Sequence, residues 1–134
     1  MTWTVELNPM QRCIIVAYQG VMTRNDCALA TRRAIELSAS SGVRCFLVDV
    51  REASIQISAG DIYSIPAMWD HGGMDRASAM AMLIADDPDM RRDTEFYENT
   101  CRNRGWNVQV FDDPDAAAGW LLAHAAAAGN AASG

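Results

Sequence analysis

The sequence predicts an α/β domain with a mainly parallel open sheet of about five strands, the first antiparallel, and four helices in the order ββαβαβαβα. Three observations predict it. Short apolar runs of strand length recur along the chain. Segments of helical length lie between them, each opening on a Thr, Ser or Asp able to cap it. The 134 residues are enough for one domain and too few for two.

Trp3, Val5 and Leu7 alternate with Thr4 and Glu6, the pattern of a strand with one wet face. Asn8-Pro9 turns the chain, and the continuous apolar run of residues 13–18, ending at Gly20, reads as a more buried strand hairpinned to the first. Thr23 and Asp26 form a capping-box pair for the first helix. Cys27, Ala30, Ala34 and Leu37 share its inner face, with Ile35 beside them, and the helix stops before Gly42. Residues 43–50, VRCFLVDV, are the clearest strand, and a strand–helix–strand unit of this length closes as a parallel crossover.

After Asp49 the chain becomes polar, apart from a short Ile55-Gln56-Ile57 alternation. Ser58 opens the second helix, with Asp61 at its third position and Ile62, Ile65, Pro66 and Trp69 at helical spacing. Pro66 lies past the first turn and predicts a kink or an early end. Gly72-Gly73 breaks the chain. Residues 79–85, AMAMLIA, suit helix or strand by periodicity, and their short length favours a buried parallel strand. Asp87-Pro88 starts the third helix, whose face is Met90, Thr94, Tyr97 and Cys101 and whose end is Gly105. Residues 107–111 form a strand. Asp113-Pro114 repeats the start signal for a last helix with Ala117, Trp120, Leu121, His124 and Ala128 on its apolar stripe, Trp120 facing the sheet. The domain is expected to span residues 1–128, with 129–134 as a flexible tail of small residues.

Composition narrows the function. Net charge is −6, and residues 86–115 hold nine acids against four arginines, so phosphate backbones are repelled and nucleic acid is not an expected partner. No basic leader precedes the first strand, and no stretch reaches the ~20 apolar residues of a membrane span, so the expected compartment is the cytoplasm. Cys13, Cys27, Cys45 and Cys101 show no close ligand pairing with one another or with His71 and His124, so neither a metal site nor a cofactor is expected. Glu98 and Arg102 read as an i, i+4 surface pair. No nucleophile–base pair or glycine-rich phosphate cradle stands out.

The ordered set of residues 14–20 leading into Val21-Met22-Thr23, then Leu47-Val48-Asp49-Val50-Arg51, Phe96-Tyr97-Glu98, Asn103-Arg104-Gly105, Val110-Phe111 and Ala118-Gly119-Trp120-Leu121 resembles the SpoIIAA-like (STAS-type) family. The likeness covers roughly residues 3–122. It implies a non-enzymatic domain that binds proteins or small apolar or anionic molecules, and it looks closer to the uncharacterised bacterial branch of that family. Anti-sigma-factor antagonists in the wider family carry a phosphorylatable Asp-Ser-Ser-Gly loop at the start of the second helix. Here the comparable place reads Ile57-Ser58-Ala59-Gly60, with one serine and no aspartate.

The candidate functional residues are Asp49, Ser58, Ile62, Ile65, Met68, Trp69 and Met74. Ser58 is either a plain N-cap or a phosphosite, since added negative charge is tolerated at a helix N-terminus. Met68, Trp69 and Met74 cluster around the Pro66 and Gly72-Gly73 breaks, as core anchors or as a mobile lid over an apolar pocket. Asp49 ends a central strand, where open α/β sheets place ligands, or simply pairs with Arg51. The leading function is therefore a regulatory domain acting through protein–protein interaction. The alternative is a carrier or sensor of a small apolar, lipid-like ligand in a pocket near the second helix. The first strand at the sheet edge suggests a homodimer.

Overall fold

The computed structural model describes the backbone of residues 2–133 and the side chains of residues 2–124. The elements follow the expected order: β1 (Thr2–Asn8), β2 (Cys13–Met22), α1 (Arg24–Ser41), β3 (Cys45–Ile55), α2 (Ala59–His71), β4 (Ala79–Leu83), α3 (Pro88–Asn103), β5 (Asn107–Phe111) and α4 (Pro114–Ser133). The five strands lie side by side in sequence order. β1 is antiparallel to β2, and every other neighbouring pair is parallel.

The local signals act as their chemistry requires. Thr23 and Asp26 close a reciprocal capping box on α1. The Ser58 hydroxyl accepts the Asp61 backbone N–H at 3.1 Å, and Asp87 accepts from Asp89 N and Met90 N ahead of Pro88. In the β1–β2 turn, Asn8 Oδ1 accepts from the backbone N–H groups of Met10 and Gln11.

Alternation along the strands sorts side chains onto two faces. Ile14, Val16, Tyr18, Phe46, Val48, Val50, Met80, Met82 and Val108 meet α1, α2 and α3 in the larger core. Cys13, Cys45, Ala79 and Ala81 meet Ala117 and Leu121 of α4 in a smaller one on the other face. α1 lies over β1 and β2, α3 over β5, and α2 is held between these two helices.

The structure corrects six expectations. β3 does not end at residue 50 but runs on to Ile55, because Glu52–Ile55 pair with Gln19–Met22 beyond a bulge where β3 carries one extra residue. α2 does not end early at Pro66. It continues to His71, with Pro66 buried among its neighbours, so packing offsets the missing hydrogen bond. Glu98 does not pair with Arg102: its carboxylate accepts Val110 N–H at 2.6 Å, and Arg102 donates to the Val108 carbonyl at 2.7 Å. Both side chains clamp α3 to β5. In α4 Ala117 and Leu121 are buried against the sheet, while Trp120 packs against the same core only half-buried, with Phe111 at 5.7 Å and His124 at 4.2 Å between ring centres. AMAMLIA is strand only over Ala79–Leu83. α4 extends over residues 129–133, where a tail was expected, and the side chain of Ala128 lies outside the described residues.

Candidate functional site

The larger core is not filled. An apolar cavity of about 60 Å³ lies beneath α1, α2 and α3 on the sheet. Of the residues singled out on α2 and after it, Ile62, Ile65, Trp69 and Met74 line this cavity. Trp69 is only 2% exposed. Its ring meets Trp106 edge-on at 5.1 Å and Tyr97 at 6.2 Å, which makes it a fixed part of the wall. Met74 is half-buried at the rim.

Ser58 and Met68 lie outside the cavity, on the surface side of α2. A groove of about 300 Å³ runs between α1 and α2, lined by Arg24, Ala28, Asp61, Ser64 and Met68, with Cys27, Ile57 and Ile65 at its floor. Arg24 spans its mouth to Asp61 at 3.5 Å. Ser58 is exposed at the α2 N-terminus next to this mouth. Cys27, Ile57 and Ile65 also line the interior cavity, so the same three side chains separate the groove from the core.

Asp49 is not part of this assembly. Alternation places it on the α4 side of the sheet, opposite Ala17 at the bulge, in a separate hollow with Gln19, Arg51 and Glu52. Its carboxylate takes Arg51 Nη2 at 2.8 Å and Arg51 Nε at 3.1 Å. Burial pushes its pKa up, and the hydrogen bonds and charge of Arg51 outweigh that, leaving the carboxyl below the ordinary value of 3.8. Asp49, His71 and Glu98 stand on three elements, β3, α2 and α3. Asp49 and Glu98 are each engaged with a partner of their own.

The sequence reading missed the residues that give the cavity its chemistry: Tyr18, Cys27 and Tyr97. Burial pushes the pKa of both phenols upward, with the neighbouring Cys27 thiol adding to the effect in each. Burial also raises the Cys27 thiol, while the hydrogen bonds of Thr31 and Tyr18 act against it, and Cys101 is pushed up to about 12, mainly by burial. These groups are neutral at physiological pH. The signal that could have found Tyr18 and Tyr97 is a hydroxyl placed on an apolar face, where a buried donor must find a partner. Among the described residues no group of three His, Cys, Asp or Glu could hold a metal ion, and no helix is long and apolar enough to cross a membrane.

A five-stranded sheet with one antiparallel edge, three helices on one face and one on the other is a SpoIIAA-like fold. Solved structures bear this out. The anti-sigma factor antagonist SpoIIAA, in its unphosphorylated form, is similar to this chain with a TM-score of 0.52 and 13% identity, over 85% of this chain and 91% of that one. An uncharacterized protein of the DUF3478 family with a SpoIIAA-like fold, from Shewanella loihica, is similar with a TM-score of 0.52 and 16% identity, over 90% of this chain and 92% of that one. No family model and no curated protein matches the sequence.

Proposed function

We propose that this chain is a non-enzymatic regulatory domain that binds a protein partner through the α1–α2 groove. The observation that carries the reading is the groove itself, which joins an apolar floor of Ile57 and Ile65 to the polar rim of Arg24, Asp61 and Ser64, with Met68 alongside. Apolar contact framed by polar groups is the composition of a protein-binding patch, and methionine adapts to the shape of a partner. The fold adds support, since a solved structure that shares it is described as an antagonist of another protein, an anti-sigma factor. Ser58, exposed at the groove mouth, is the residue through which phosphorylation would act, because a doubly charged group there meets the α2 N-terminus and the Arg24 side chain.

The test compares variants. The tagged chain is used to capture proteins from its own cells, and binding of the captured protein is then measured by calorimetry with purified components. Met68→Glu in the groove is expected to lower affinity at least about fivefold, the effect of truncating or charging a contact worth more than about 1 kcal/mol. Leu122→Glu on α4, 60% exposed and on the other face, is expected to leave it unchanged. Equal binding by the wild type and Met68→Glu would remove the groove from the account.

A second reading is favoured by the cavity: a sensor or carrier of a small apolar ligand. The groove and the cavity share Cys27, Ile57 and Ile65, so a ligand that displaced these side chains would alter the groove floor. The two readings are then input and output of one element.

A further inference from the structure

The two buried tyrosine hydroxyls are poorly matched to their partners. Tyr97 is 8% exposed, and its hydroxyl donates to the thioether of Met80 at 3.6 Å. The Cys101 thiol is its other neighbour. Tyr18 is 5% exposed and stands against the Cys27 thiol. Thioethers and thiols are weak acceptors, and a phenolic O–H is a strong donor. Both tyrosines line the same apolar cavity. Two strong donors on the wall of a mainly apolar chamber, whose other polar lining is Thr31, Asp93 and Thr94, match a small-molecule site, in which a few polar groups orient a ligand held by apolar contact.

The chamber is small but adaptable. Its volume is about 60 Å³, whereas a benzene-sized ring needs a cavity of about 150 Å³. Met22, Met74, Met80 and Met82 all line it. Methionine has an unbranched, freely rotating side chain and makes favourable contacts with rings, so the chamber can widen without moving backbone. The way in is where groove and chamber adjoin, at the Cys27, Ile57 and Ile65 side chains that line both.

From this geometry we infer that the cavity binds a small apolar molecule of about one ring's size carrying a hydrogen-bond acceptor oxygen, which enters through the α1–α2 groove and takes the Tyr97 or Tyr18 hydroxyl from its sulfur partner. The inference rests on the apolar-ligand reading above and adds the chemical class of the ligand.

The test uses cyclohexanone and methylenecyclohexane, which share a shape and differ in the acceptor oxygen. Chain labelled with ¹³C at the methionine methyls is titrated with each and followed by NMR. Met10, 95% exposed, and Met90, outside the cavity lining, serve as controls, and Met68 reports on the groove alone. Cyclohexanone is expected to shift the Met22, Met80 and Met82 methyls along one saturating curve. Tyr97→Phe or Tyr18→Phe is expected to weaken it about fivefold, the worth of one neutral hydrogen bond, and to leave methylenecyclohexane unaffected. If cyclohexanone gains nothing over the hydrocarbon and neither Tyr→Phe change affects it, the acceptor class is wrong, although the cavity still takes apolar ligands. If the cavity methyls stay still with both probes, or only Met68 moves, the inference and the reading beneath it both fall. Should one tyrosine variant fail to fold, the other variant and the wild-type comparison of the two probes still decide.

Discussion

The seam between α1 and α2 can be tested by adding one methyl group. Gly72 has φ −79°, a conformation any L-residue adopts, so Gly72→Ala carries no backbone strain. Its cost is steric. A Cβ built there lies 2.7 Å from Ile35 Cδ1 and 3.3 Å from Ile35 Cγ2 on α1, and 3.2 Å from the Met68 carbonyl oxygen. Overpacking of this kind costs about 1–3 kcal/mol. The loss of glycine's freedom in the unfolded chain returns about 0.4–1 kcal/mol, and Ile35 Cδ1 ends a half-buried side chain that can turn aside, which leaves a net destabilisation of about 0–2 kcal/mol. Ile35→Val deletes the closest atom, Cδ1. Alone it costs about 0.5–1.5 kcal/mol, at the low end because Ile35 is only half-buried. In the double variant the deletion relieves the clash, so the two costs should fall short of their sum by at least about 0.5 kcal/mol. Urea titrations of the four proteins give the coupling directly. Costs that simply add in the double variant would mean that α1 and α2 are not seated as described and that the groove between them has another shape.

Three further outcomes are expected. Trp120→Ala should cost about 1.5–3 kcal/mol in the same titration, less than the ~3–5 of a fully buried aromatic, because the ring is half-buried beside Phe111 and His124; a loss below about 0.5 kcal/mol would place it free of the sheet. For Asp49 the folded pKa is depressed, so its pairing with Arg51 stabilises the protein above the unfolded value of 3.8 and that gain is lost as pH falls through the lower folded value. Arg51→Gln should therefore be less stable than the wild type at pH 7, by no more than about 1 kcal/mol given solvent screening, and the gap should close at acid pH below both values; a gap independent of pH would contradict the pairing. Pairing of two β1 edge strands predicts a dimer mass in light scattering, and a monomer mass at high concentration would refute it.

What was legible in the sequence is the local chemistry. Thr23 with Asp26, Ser58, and Asp87 before Pro88 mark helix starts because each acceptor satisfies free N–H groups within three residues of itself. The five strands were legible from apolar runs or, for β1, from the alternation of Trp3, Val5 and Leu7 with polar residues. What was not legible depends on partners distant in the chain. Glu52–Ile55 look polar, yet become strand because the end of β2 lies alongside. Glu98 has a nearby arginine at helical spacing, but a backbone N–H of β5 offers a better partner than an exposed ion pair. Pro66 marks a lost hydrogen bond, but not the burial that offsets it.

The candidate site shows the same division. Ile62, Ile65 and Trp69 were singled out because helical spacing groups them, and Met68 and Met74 because they flank the Pro66 and Gly72-Gly73 breaks. Their separation into cavity and groove depends on where α1 lies, and so does the role of Cys27 between the two. Asp49 was read as the end of a central strand, but β3 runs on to Ile55 and alternation turns Asp49 to the opposite face of the sheet. Tyr18 and Tyr97 come from β2 and α3, and only the crossover topology brings both side chains to the wall of one chamber.

The central claim is that the α1–α2 groove is the surface this protein uses to engage another. Photo-crosslinking in its own cells tests that most directly, with benzoylphenylalanine placed singly at Ser64 or Met68 in the groove and at Leu122 on α4 as a control. The account predicts that the two groove positions trap the same partner protein and that Leu122 does not. Crosslinks to a common partner from Leu122, with none from Ser64 or Met68, would contradict it.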